Sequence, residues 1–491
     1  MSTAIQFTND FGVLADADQL VVLGTKAALA RAEVTALLPA GLVGLWPAML
    51  ESLSPGDQLA ATSTWLQADA AATPLRVTLI AISDRASRHN VPGRPDVVAT
   101  ALKGRFTKGK GALLVALERP DDLLAVGYAI ARAFPLYLRK KRPEGEAWVS
   151  VCFVAAGGAR PHDQELERVT VVARAIREAA RMTDTPPSEL STDAFVAEAR
   201  AIAAEHGLEI KVMHLDELRE RGMGGIASVG QAAAANRGPA LVHLRYAGKG
   251  KGEPVAWVGK GIVYDTGGLS LKGKADMPGM KVDMGGAAAV LQALVVAATL
   301  GAGPRIDAVL CLAENSVGPD AMRPDDVITL YSGKTIEVNN TDAEGRLVLS
   351  DGVAYAAKDL GAAIVVDLAT LTGAQLMATG KLHAAIVSND EALEDAAIAA
   401  GRRSGDMVFP VPYAPELFRG EFHSPVADLR NSVKDRMNAQ SSCAAQFIAE
   451  SLPTGEPVRW LHVDMAGPVT ARDRATGYGV ALLTELFVKP G

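Results

Sequence analysis

The sequence predicts an α/β protein with a small N-terminal α/β domain and a larger C-terminal domain, in which helices flank a mixed sheet. Two observations carry this prediction. Short β-branched apolar runs alternate with helical stretches along the chain, and 491 residues exceed one ordinary domain of about 150. We place the N-terminal α/β domain at 1–160, a connecting helix at 161–187 and the larger domain at 188–491.

The first domain contains four predicted strands and no clustered carboxylates that would indicate a catalytic site. These strands are 20–23, 76–82, 112–117 and 148–154. A helical segment follows at 163–182, and the Pro-Pro pair at 186–187 ends it, because proline disfavours helix in the residue before it. This helix is predicted to connect the two domains.

The second domain alternates regularly between strands and helices, beginning with a helix that Ser191 can cap and that runs to about His206. The predicted strands are 208–213, 240–246, 255–258, 306–312, 363–368, 384–387 and 458–463, and further helices are 285–300, 344–358, 391–402 and 439–451. Such interleaving favours a sheet covered on both faces, with the active site at the carboxyl ends of its strands.

Composition indicates a soluble protein and argues against nucleic acid as a partner. Apolar residues make up 49% of the chain and charged residues 21%, and the net charge is -7, whereas phosphate binding needs a basic surface. Cys152, Cys311 and Cys443 match no metal or redox spacing, which fits buried thiols in a reducing compartment. The N-terminal residues resemble no secretory signal, and the apolar stretch 285–303 is better explained as a buried helix than as a membrane span. We expect a cytoplasmic protein.

Three segments, 258–272, 280–289 and 338–347, concentrate charge beside glycine. Lys260 and Asp265 bracket a predicted strand end, and two glycines open the turn that leads to Lys272. In the third segment Asp342 and Glu344 stand two apart, so an extended backbone would turn both carboxylates to one side.

In the second segment Asp283 precedes a helix start, where an acid commonly caps free N–H groups. Taken singly, that cap is the commoner role for Asp283, and Lys260 and Lys272 would be ordinary solvated lysines. The histidines, among them His214, His383 and His462, show no metal-ligand spacing.

The three segments together suggest a metal site. If Asp265, Asp283, Asp342 and Glu344 converge, four like charges must be compensated, and two divalent ions would balance them. Carboxylate oxygens suit Zn²⁺, Mn²⁺ or Mg²⁺. A lysine could join such a shell only as a neutral amine.

These segments resemble the leucyl aminopeptidase (cytosol aminopeptidase) family of dinuclear zinc peptidases. The family's Asn-Thr-Asp-Ala-Glu-Gly-Arg-Leu stands intact at 340–347, its Lys-Gly-x-x-x-Asp-x-Gly-Gly-x-x-x-Lys at 260–272 and its Met-Lys-x-Asp-Met-Gly-Gly-Ala at 280–287. The likeness continues at 368–374 and 460–467 and covers about 165–490. Departures at Tyr264, 274–279, 439–443 and 468–469 are similar to a less-studied branch of "probable aminopeptidases" and leave the preferred N-terminal residue open.

The resemblance implies a metalloprotease, a hydrolase that removes the N-terminal residue of peptides through a metal-bridged hydroxide, with 188–491 as its catalytic dinuclear-metal peptidase domain. Asp265 and Glu344 would bridge two metal ions, Lys260 and Asp283 would complete one site, and Asp342 the other. The family uses Zn²⁺, with Mn²⁺ or Mg²⁺ exchangeable at one site.

The resemblance also assigns catalysis and recognition. Lys272 and Arg346 would be catalytic, the first on the carbonyl oxygen and the second holding a bicarbonate ion as general base. The residues expected to contact the peptide are Met280, Asn340, Thr370, Leu371, Gly373 and Ala466. Family members form homohexamers and act on peptides with a free N-terminus, with neither nucleic acid nor membrane as partner.

Two other functions remain open from the residues. A dinuclear phosphoesterase would also use clustered carboxylates, although such sites usually include histidine, and a binding protein could keep the fold without turnover. A phosphate-binding loop at 332–335 is excluded, because Ile328 stands where that loop requires glycine.

Overall fold

The computed structural model describes residues 3–67, 74–141, 146–249, 251–455 and 458–489, which fold into two compact units. The first unit extends to Arg177 and includes Arg402–Gly405, and the second comprises Glu178–Gly401 and the residues from Asp406 onward. The boundary between the two units along the chain falls within one helix, Asp163–Asp184. The predicted domain limits at 160 and 187 stay a prediction.

The first unit is built on a six-stranded sheet with the order β1-β6-β5-β2-β4-β3. Its strands are β1 (Ala4–Phe7), β2 (Gln19–Thr25), β3 (Leu59–Leu66), β4 (Leu75–Ile82), β5 (Gly109–Ala116) and β6 (Ala147–Val154). All neighbours are parallel except β3, which runs antiparallel to β4. Two of these strands were not predicted from the sequence: β1 is only four residues long, and β3 is an edge strand that alternates between half-buried and exposed residues.

Helices of the first unit are short except the last. They are α1 (Lys26–Leu29), α2 (Ala32–Thr35), α3 (Ala40–Val43), α4 (Trp46–Glu51), α5 (Pro95–Leu102), α6 (Leu123–Arg132) and α7 (Asp163–Asp184), which continues past Arg177. Leu42 and Trp46 from the helices pack with Val22 and Leu114 of the sheet in one core, which buries apolar surface and stabilises the unit.

The second unit is built on an eight-stranded sheet with the order β15-β14-β17-β13-β9-β10-β8-β7. The strands of this unit are β7 (Glu209–His214), β8 (Ala240–Tyr246), β9 (Val255–Asp265), β10 (Ile306–Asn315), β11 (Val327–Thr329), β12 (Thr335–Glu337), β13 (Ile364–Ala369), β14 (Ala384–Ser388), β15 (Val408–Pro410), β16 (Leu429–Arg430), β17 (Arg459–Asp464), β18 (Thr470–Ala471) and β19 (Arg474–Ala475). Strands β17, β13, β9 and β10 run parallel in the middle, and antiparallel pairs lie on either side. The sheet is therefore mixed.

Helices pack against this sheet, which confirms the predicted fold class. They are α8 (Thr192–His206), α9 (Leu215–Glu220), α10 (Gly224–Gly230), α11 (Gly285–Leu300), α12 (Gly345–Lys358), α13 (Gly373–Ala378), α14 (Glu391–Ser404), α15 (Pro415–Phe418), α16 (Gln440–Ala449) and α17 (Val480–Phe487). The described 3-10 turns are Phe11–Leu14, Pro120–Asp122, Ala156–Gly158, Ala235–Arg237, Met280–Met284 and Arg419–Phe422. As predicted, the Ser191 hydroxyl caps α8, accepting a hydrogen bond from the Ala194 N–H.

Strand β9 is longer than predicted and ends at Asp265 rather than near 258. Gly259 and Gly261 resemble strand breakers, yet the packing of α11 requires glycine here. A Cβ at Gly259 would lie 2.5 Å from the Ala287 Cα, so only a residue without a side chain permits this approach of helix and strand. Tertiary packing thus overrides local propensity.

The apolar helical stretch Met280–Leu300 is long enough to cross a membrane, but 78% of its most apolar window is buried inside the second unit. Its residues from Gly285 to Ala297 are buried on all sides, except Val295, which is half-buried. It is therefore a core helix, as the sequence predicted, and a helix apolar all round is typical of such a position. Cys152, Cys311 and Cys443 are free and buried, also as predicted.

Candidate active site

The candidate site lies where the central parallel strands of the second unit end. Asp265 is the last residue of β9, Asn315 ends the neighbouring β10, and Asp464 ends β17. Because the carboxyl ends of parallel strands meet at one edge of a sheet, the residues that follow them are brought close together. Asn315 Nδ2 donates to Asp265 Oδ1 over 2.8 Å and so holds this carboxylate in place.

The turn after β9 brings Lys272 back onto Asp265. Gly267 and Gly268 have φ angles of +84° and +62°, a left-handed conformation that glycine adopts without strain. Lys272 Nζ lies 2.8 Å from Asp265 Oδ2 and 2.5 Å from Asp342 Oδ1. The first and third charged segments of the sequence therefore meet through this lysine.

Lys260 is buried within β9 and joins the second charged segment to the third. Its Nζ lies 2.9 Å from both Asp283 Oδ1 and Glu344 Oε1, and donates to the Thr370 carbonyl over 2.9 Å. Gly345 makes room for it, because a Cβ there would lie 2.6 Å from Lys260 Nζ and Cε. Glycine therefore follows Glu344 in the sequence because any side chain at 345 would collide with Lys260.

The extended backbone expected around Asp342 and Glu344 was wrong, and the capping role considered for Asp283 taken singly does not occur, although these carboxylates do converge. Glu344 has helical backbone angles and Asp342 lies in a turn, so neither stands on an extended segment. Asp283 makes no cap for α11. Its Oδ1 accepts hydrogen bonds from Lys260 and from the Thr370 hydroxyl, which lies 2.6 Å away. Contacts from distant parts of the chain override the local role.

The acids of the cluster lie close together and all but Asp342 are buried, so their pKa values respond to burial and to neighbouring charges. Burial raises the pKa of Asp283 to about 6 against the opposing charge of Lys260. Burial, reinforced by Asp265, raises the pKa of Glu344 to about 8, and burial also raises the pKa of Asp342. Burial alone would lower the pKa of Lys260, but the neighbouring carboxylates override it and raise that pKa. The cluster therefore favours bound positive charge.

Its donor set fits divalent cations. One carboxylate oxygen each from Asp265, Asp342 and Glu344 lies within 4.8 Å of the other two. Among the described residues, Asp283 Oδ2 and Glu344 Oε2 are buried without a hydrogen-bond partner, and such orphaned oxygens indicate a missing ion or water. In this arrangement the two lysine ammonium groups neutralise part of the charge that metal ions would otherwise balance.

Arg346 lies at the start of α12 with its side chain buried, and burial lowers its pKa to about 10. Its guanidinium donates to the Asn431 carbonyl over 2.9 Å, while its Nε finds no partner in the described part of the chain. Asn431 was not anticipated from the sequence. Its buried amide accepts from the backbone N–H groups of Asn339 and Asn340 and donates to the carbonyls of Asn340 and Ala343. It therefore positions the segment that carries Asp342 and Glu344.

One cavity of about 710 Å³ brings together all thirteen site residues that the sequence suggested. They are Lys260, Asp265, Lys272, Met280, Asp283, Asn340, Asp342, Glu344, Arg346, Thr370, Leu371, Gly373 and Ala466. The lining also includes residues that the sequence analysis did not single out, notably Leu271, Leu376, Asp276 and Arg436. The cavity thus combines a charged interior with apolar and charged side chains on its walls.

Asp464 holds two loops of the cavity wall. Its buried carboxylate accepts hydrogen bonds from the backbone N–H groups of Leu371 (3.0 Å), Thr372 (3.1 Å) and Ala466 (3.2 Å), and from the Thr372 hydroxyl (2.6 Å). The loops after β13 and β17 are therefore joined by one side chain. No sequence signal singled out this role, because it depends on the pairing of β13 with β17.

None of the described residues that line the cavity is a histidine. His462 lies in the core, with its Nδ1 2.6 Å from Asp367 Oδ1, and His214 is exposed. Burial alone would lower the pKa of His462, but Asp367 raises it. The segment 332–335 lies at the turn between β11 and β12, which pair antiparallel, rather than at a strand-to-helix phosphate loop.

Comparison with known protein families finds two matches along the chain. Residues 177–484 match the model of the cytosol aminopeptidase family, catalytic domain. Residues 19–143 match the M17 aminopeptidase N-terminal domain 2. The first match contains all thirteen of the predicted site residues that line the cavity.

Individual proteins give the same result over nearly the whole chain. Human "Probable aminopeptidase NPEPL1" is 46% identical over 448 residues, which cover 90% of this chain and 84% of the relative. The apo structure of leucyl aminopeptidase from Trypanosoma cruzi is 39% identical with a TM-score of 0.89, covering 99% of this chain and 96% of that one. The bottromycin maturation enzyme BotP in complex with Mn is 28% identical with a TM-score of 0.78, covering 96% and 98%.

Proposed function

The chain belongs to the M17 leucyl (cytosol) aminopeptidase family, and from this premise we propose that it is a metal-dependent aminopeptidase that hydrolyses the N-terminal residue from peptides. The observation that carries the proposal is the convergence of four carboxylates and two lysines in one cavity, where two buried carboxylate oxygens have no partner among the described residues. Family membership adds the substrate class. The preferred N-terminal residue remains open.

The proposed metal ligands are Lys260, Asp265, Asp283, Asp342 and Glu344, with Asp265 and Glu344 shared between two ions. When bound, two divalent ions supply an activated water and a positive charge for the scissile carbonyl. Lys260 would serve as a ligand only as a neutral amine. We propose Zn²⁺ as the native metal, with Mn²⁺ or Mg²⁺ accepted at one site, and the Mn complex of BotP supports Mn²⁺ as an alternative.

Lys272 and Arg346 are the proposed catalytic groups. Lys272 would donate a hydrogen bond to the carbonyl oxygen as negative charge develops on it. Its position between Asp265 and Asp342 supports this role, because those acids keep it charged by raising its pKa against the effect of burial. Arg346 would bind a bicarbonate ion that serves as general base, and its buried, partly unpartnered guanidinium suits an anion.

The peptide would lie along the remaining wall of the cavity, with its free α-amine directed to the acids. The proposed substrate-binding residues are Met280, Asn340, Thr370, Leu371, Gly373 and Ala466, all of which line the cavity. An amine close to buried carboxylates and metal ions explains a requirement for an unblocked N-terminus. No nucleophilic serine or cysteine is needed.

A metal-loaded assay over a panel of amino-acid amides tests the proposal. We expect exhaustive chelation to abolish hydrolysis and Zn²⁺ or Mn²⁺ to restore it, with N-acetylated substrates and phosphate esters left intact. Activity that survives complete metal removal would refute the metal mechanism. Hydrolysis of a phosphate ester in place of the amides would favour a phosphoesterase, and unaltered partner binding without any turnover in Asp342→Asn protein would favour a binding protein.

We further propose a cytoplasmic homohexamer whose partners are peptide substrates, with neither nucleic acid nor membrane among them. Residues 188–491 would form the catalytic dinuclear-metal peptidase domain, 161–187 the connecting helix and 1–160 the N-terminal α/β domain. Membership of the cytosol aminopeptidase family supports the hexamer. Light scattering should give six times the chain mass, and a monomer would contradict the hexamer.

A further inference from the structure

Arg436 is a cation of the cavity wall without a counter-ion among the described residues. It lines the cavity and its side chain is exposed. Within the described part of the chain it forms no ion pair, in contrast to Lys260 and Lys272, each of which contacts two carboxylates. No motif of the sequence pointed to it. The cavity therefore presents one positive charge that the described side chains do not neutralise.

The acids nearest to Arg436 along the chain are engaged elsewhere. Asp435 Oδ1 accepts the Met437 N–H over 2.8 Å. The two carboxylate oxygens of Glu421 accept the Asp435 N–H over 2.9 Å and the Asn438 amide over 2.8 Å. These hydrogen bonds fix the turn that carries Arg436, and neither acid forms an ion pair with its guanidinium in the described part of the chain. Asp276, the other exposed charge of the lining, makes no ion pair with it among the described residues.

The start of the same segment is anchored to residues 339–343, which include Asp342. Asn431 bonds the backbone of Asn340 and Ala343, and the Ser432 N–H donates to Asn339 Oδ1 over 2.9 Å. Arg436 is thus carried by a segment held at both ends. The backbone position of Arg436 is therefore set by the fold.

The charges of the cavity are complementary to those of a short peptide, which has an ammonium group at one end and a carboxylate at the other. Carboxylates lie buried inside, where the α-amine of a substrate is proposed to bind, and a free guanidinium lies on the exposed wall. We propose that Arg436 is a subsite for the C-terminal carboxylate of short peptides, which makes the enzyme favour di- or tripeptides with a free carboxyl end. The proposal rests on the proposed aminopeptidase function and adds a substrate class to it. An arginine fork matches a carboxylate in two parallel hydrogen bonds.

The expected effect is moderate because the guanidinium is exposed. Exposed ion pairs contribute little, and two-point arginine–carboxylate pairs contribute more. We therefore expect a preference of roughly three- to tenfold in kcat/KM for a free acid over its amide. The preference should reside in KM, because Arg436 lies away from the reacting bond and stabilises substrate and transition state alike.

The test compares Leu-Gly and Leu-Gly-Gly, each as free acid and as C-terminal amide, using metal-loaded enzyme. Wild type should prefer the acid at one or both lengths. Arg436→Gln should bring the acid-to-amide ratio close to one by raising KM for the acid, and it should lose less on leucine anilide, which has no carboxylate. Arg436→Lys should retain part of the preference, since it keeps the charge but loses the fork.

Lys434→Gln is the matched control, because Lys434 is an exposed cation of the same segment that does not line the cavity. It should keep the wild-type ratio. A wild-type ratio of one at both lengths, or a ratio that Arg436→Gln does not change, would overturn the proposal. If metal-loaded wild type hydrolyses none of these substrates, the proposed function itself is refuted.

A binding measurement keeps the subsite testable without turnover. Leu-Gly with a methylene-amine link in place of the scissile amide can be titrated calorimetrically as acid and as amide. The acid should bind wild type three- to tenfold more tightly, and Arg436→Gln should remove the difference. Equal binding of acid and amide to wild type would overturn the proposal whether or not the enzyme turns over.

Discussion

At the scale of single residues, two lysines hold the acidic cluster together. Lys260 connects Asp283 with Glu344, and Lys272 connects Asp265 with Asp342. Both lysines are shielded from water, so their contacts are stronger than those of surface ion pairs. The space that admits Lys260 is provided by the absence of a side chain at Gly345. Small changes at this glycine should therefore act on the metal site.

Gly345→Ala should weaken metal binding and catalysis. The new methyl group would meet the end of Lys260, which is flexible in itself but held by three acceptors. Displacing a residue that supports a metal site typically costs tenfold or more in metal affinity, and we expect a loss of about that size. Metal content by mass spectrometry and kcat/KM on leucine anilide measure it.

Gly420→Ala is the control, because a Cβ there meets nothing within 4 Å. It should bind metal as wild type does. Full metal occupancy and full activity in Gly345→Ala would contradict the steric role of this glycine.

At the scale of secondary-structure elements, the site depends on the loops that leave the central strands. Strand β9 ends in Asp265, and the loop after β13 supplies Thr370, Leu371 and Thr372. Asp464 at the end of β17 holds this loop together with Ala466. The cavity wall is thus shaped by hydrogen bonds between loops of neighbouring parallel strands.

Asp464→Asn should loosen these two loops and lower activity. The asparagine side chain would keep one acceptor oxygen. Its NH₂ group would face N–H or O–H donors that the second carboxylate oxygen of Asp464 accepts from in the wild type, and those donors would lose their partner. We expect kcat/KM to fall by roughly ten- to a hundredfold, corresponding to about 1–3 kcal/mol for a buried donor left unpaired. Metal content should be retained, because Asp464 is not among the proposed ligands.

Asp473→Asn provides the control, since Asp473 is exposed in the hairpin of β18 and β19. Its kinetics should match wild type. Wild-type kinetics in Asp464→Asn would show that the loops need no such connection, and loss of metal together with activity would point to a wider disruption of the fold.

At the scale of the whole molecule, the acidic cluster opposes stability until cations compensate it. Asp265, Asp283 and Glu344 are buried and Asp342 is partly exposed, and burial raises the pKa of Asp283, Asp342 and Glu344. The two ammonium groups leave Asp283 Oδ2 and Glu344 Oε2 without a partner among the described residues. Metal binding should therefore stabilise the folded chain as well as enable catalysis.

Added Zn²⁺ or Mn²⁺ should raise the Tm of metal-depleted protein. At about 100 times the Kd the gain is about 2.7 kcal/mol, which corresponds to a rise of several degrees for a protein of this size. Differential scanning fluorimetry with and without metal measures it. Metal should raise the Tm of Asp342→Asn less than that of wild type, and it should raise the Tm of Asp473→Asn as much as that of wild type. Equal rises in Tm for wild type and both variants would exclude the cluster as the binding site.

The sequence predicted much of the fold because its signals are local. The bounds of α11 and β8 were predicted to the residue and the start of α8 by its Ser191 cap, since apolar periodicity and capping signals act within a few positions. Strand β9 was predicted too short, because Gly259 and Gly261 carry a strand-breaking signal that the packing of α11 reverses. Edge strand β3 was missed because its residues are only partly buried.

The motifs by themselves determined the family and predicted the residues that meet in the cavity, because three dense segments of charge and glycine occur in fixed order. Only the tertiary structure decided what those residues contact. Asp283 meets Lys260 and Thr370 instead of capping α11, and Asn431 holds a loop some ninety residues away in sequence. Arg436 becomes part of the cavity only through the folded turn that carries it. A hydrogen-bonding group takes the partner that strand order and packing bring nearest, and neither is encoded within a few neighbouring residues.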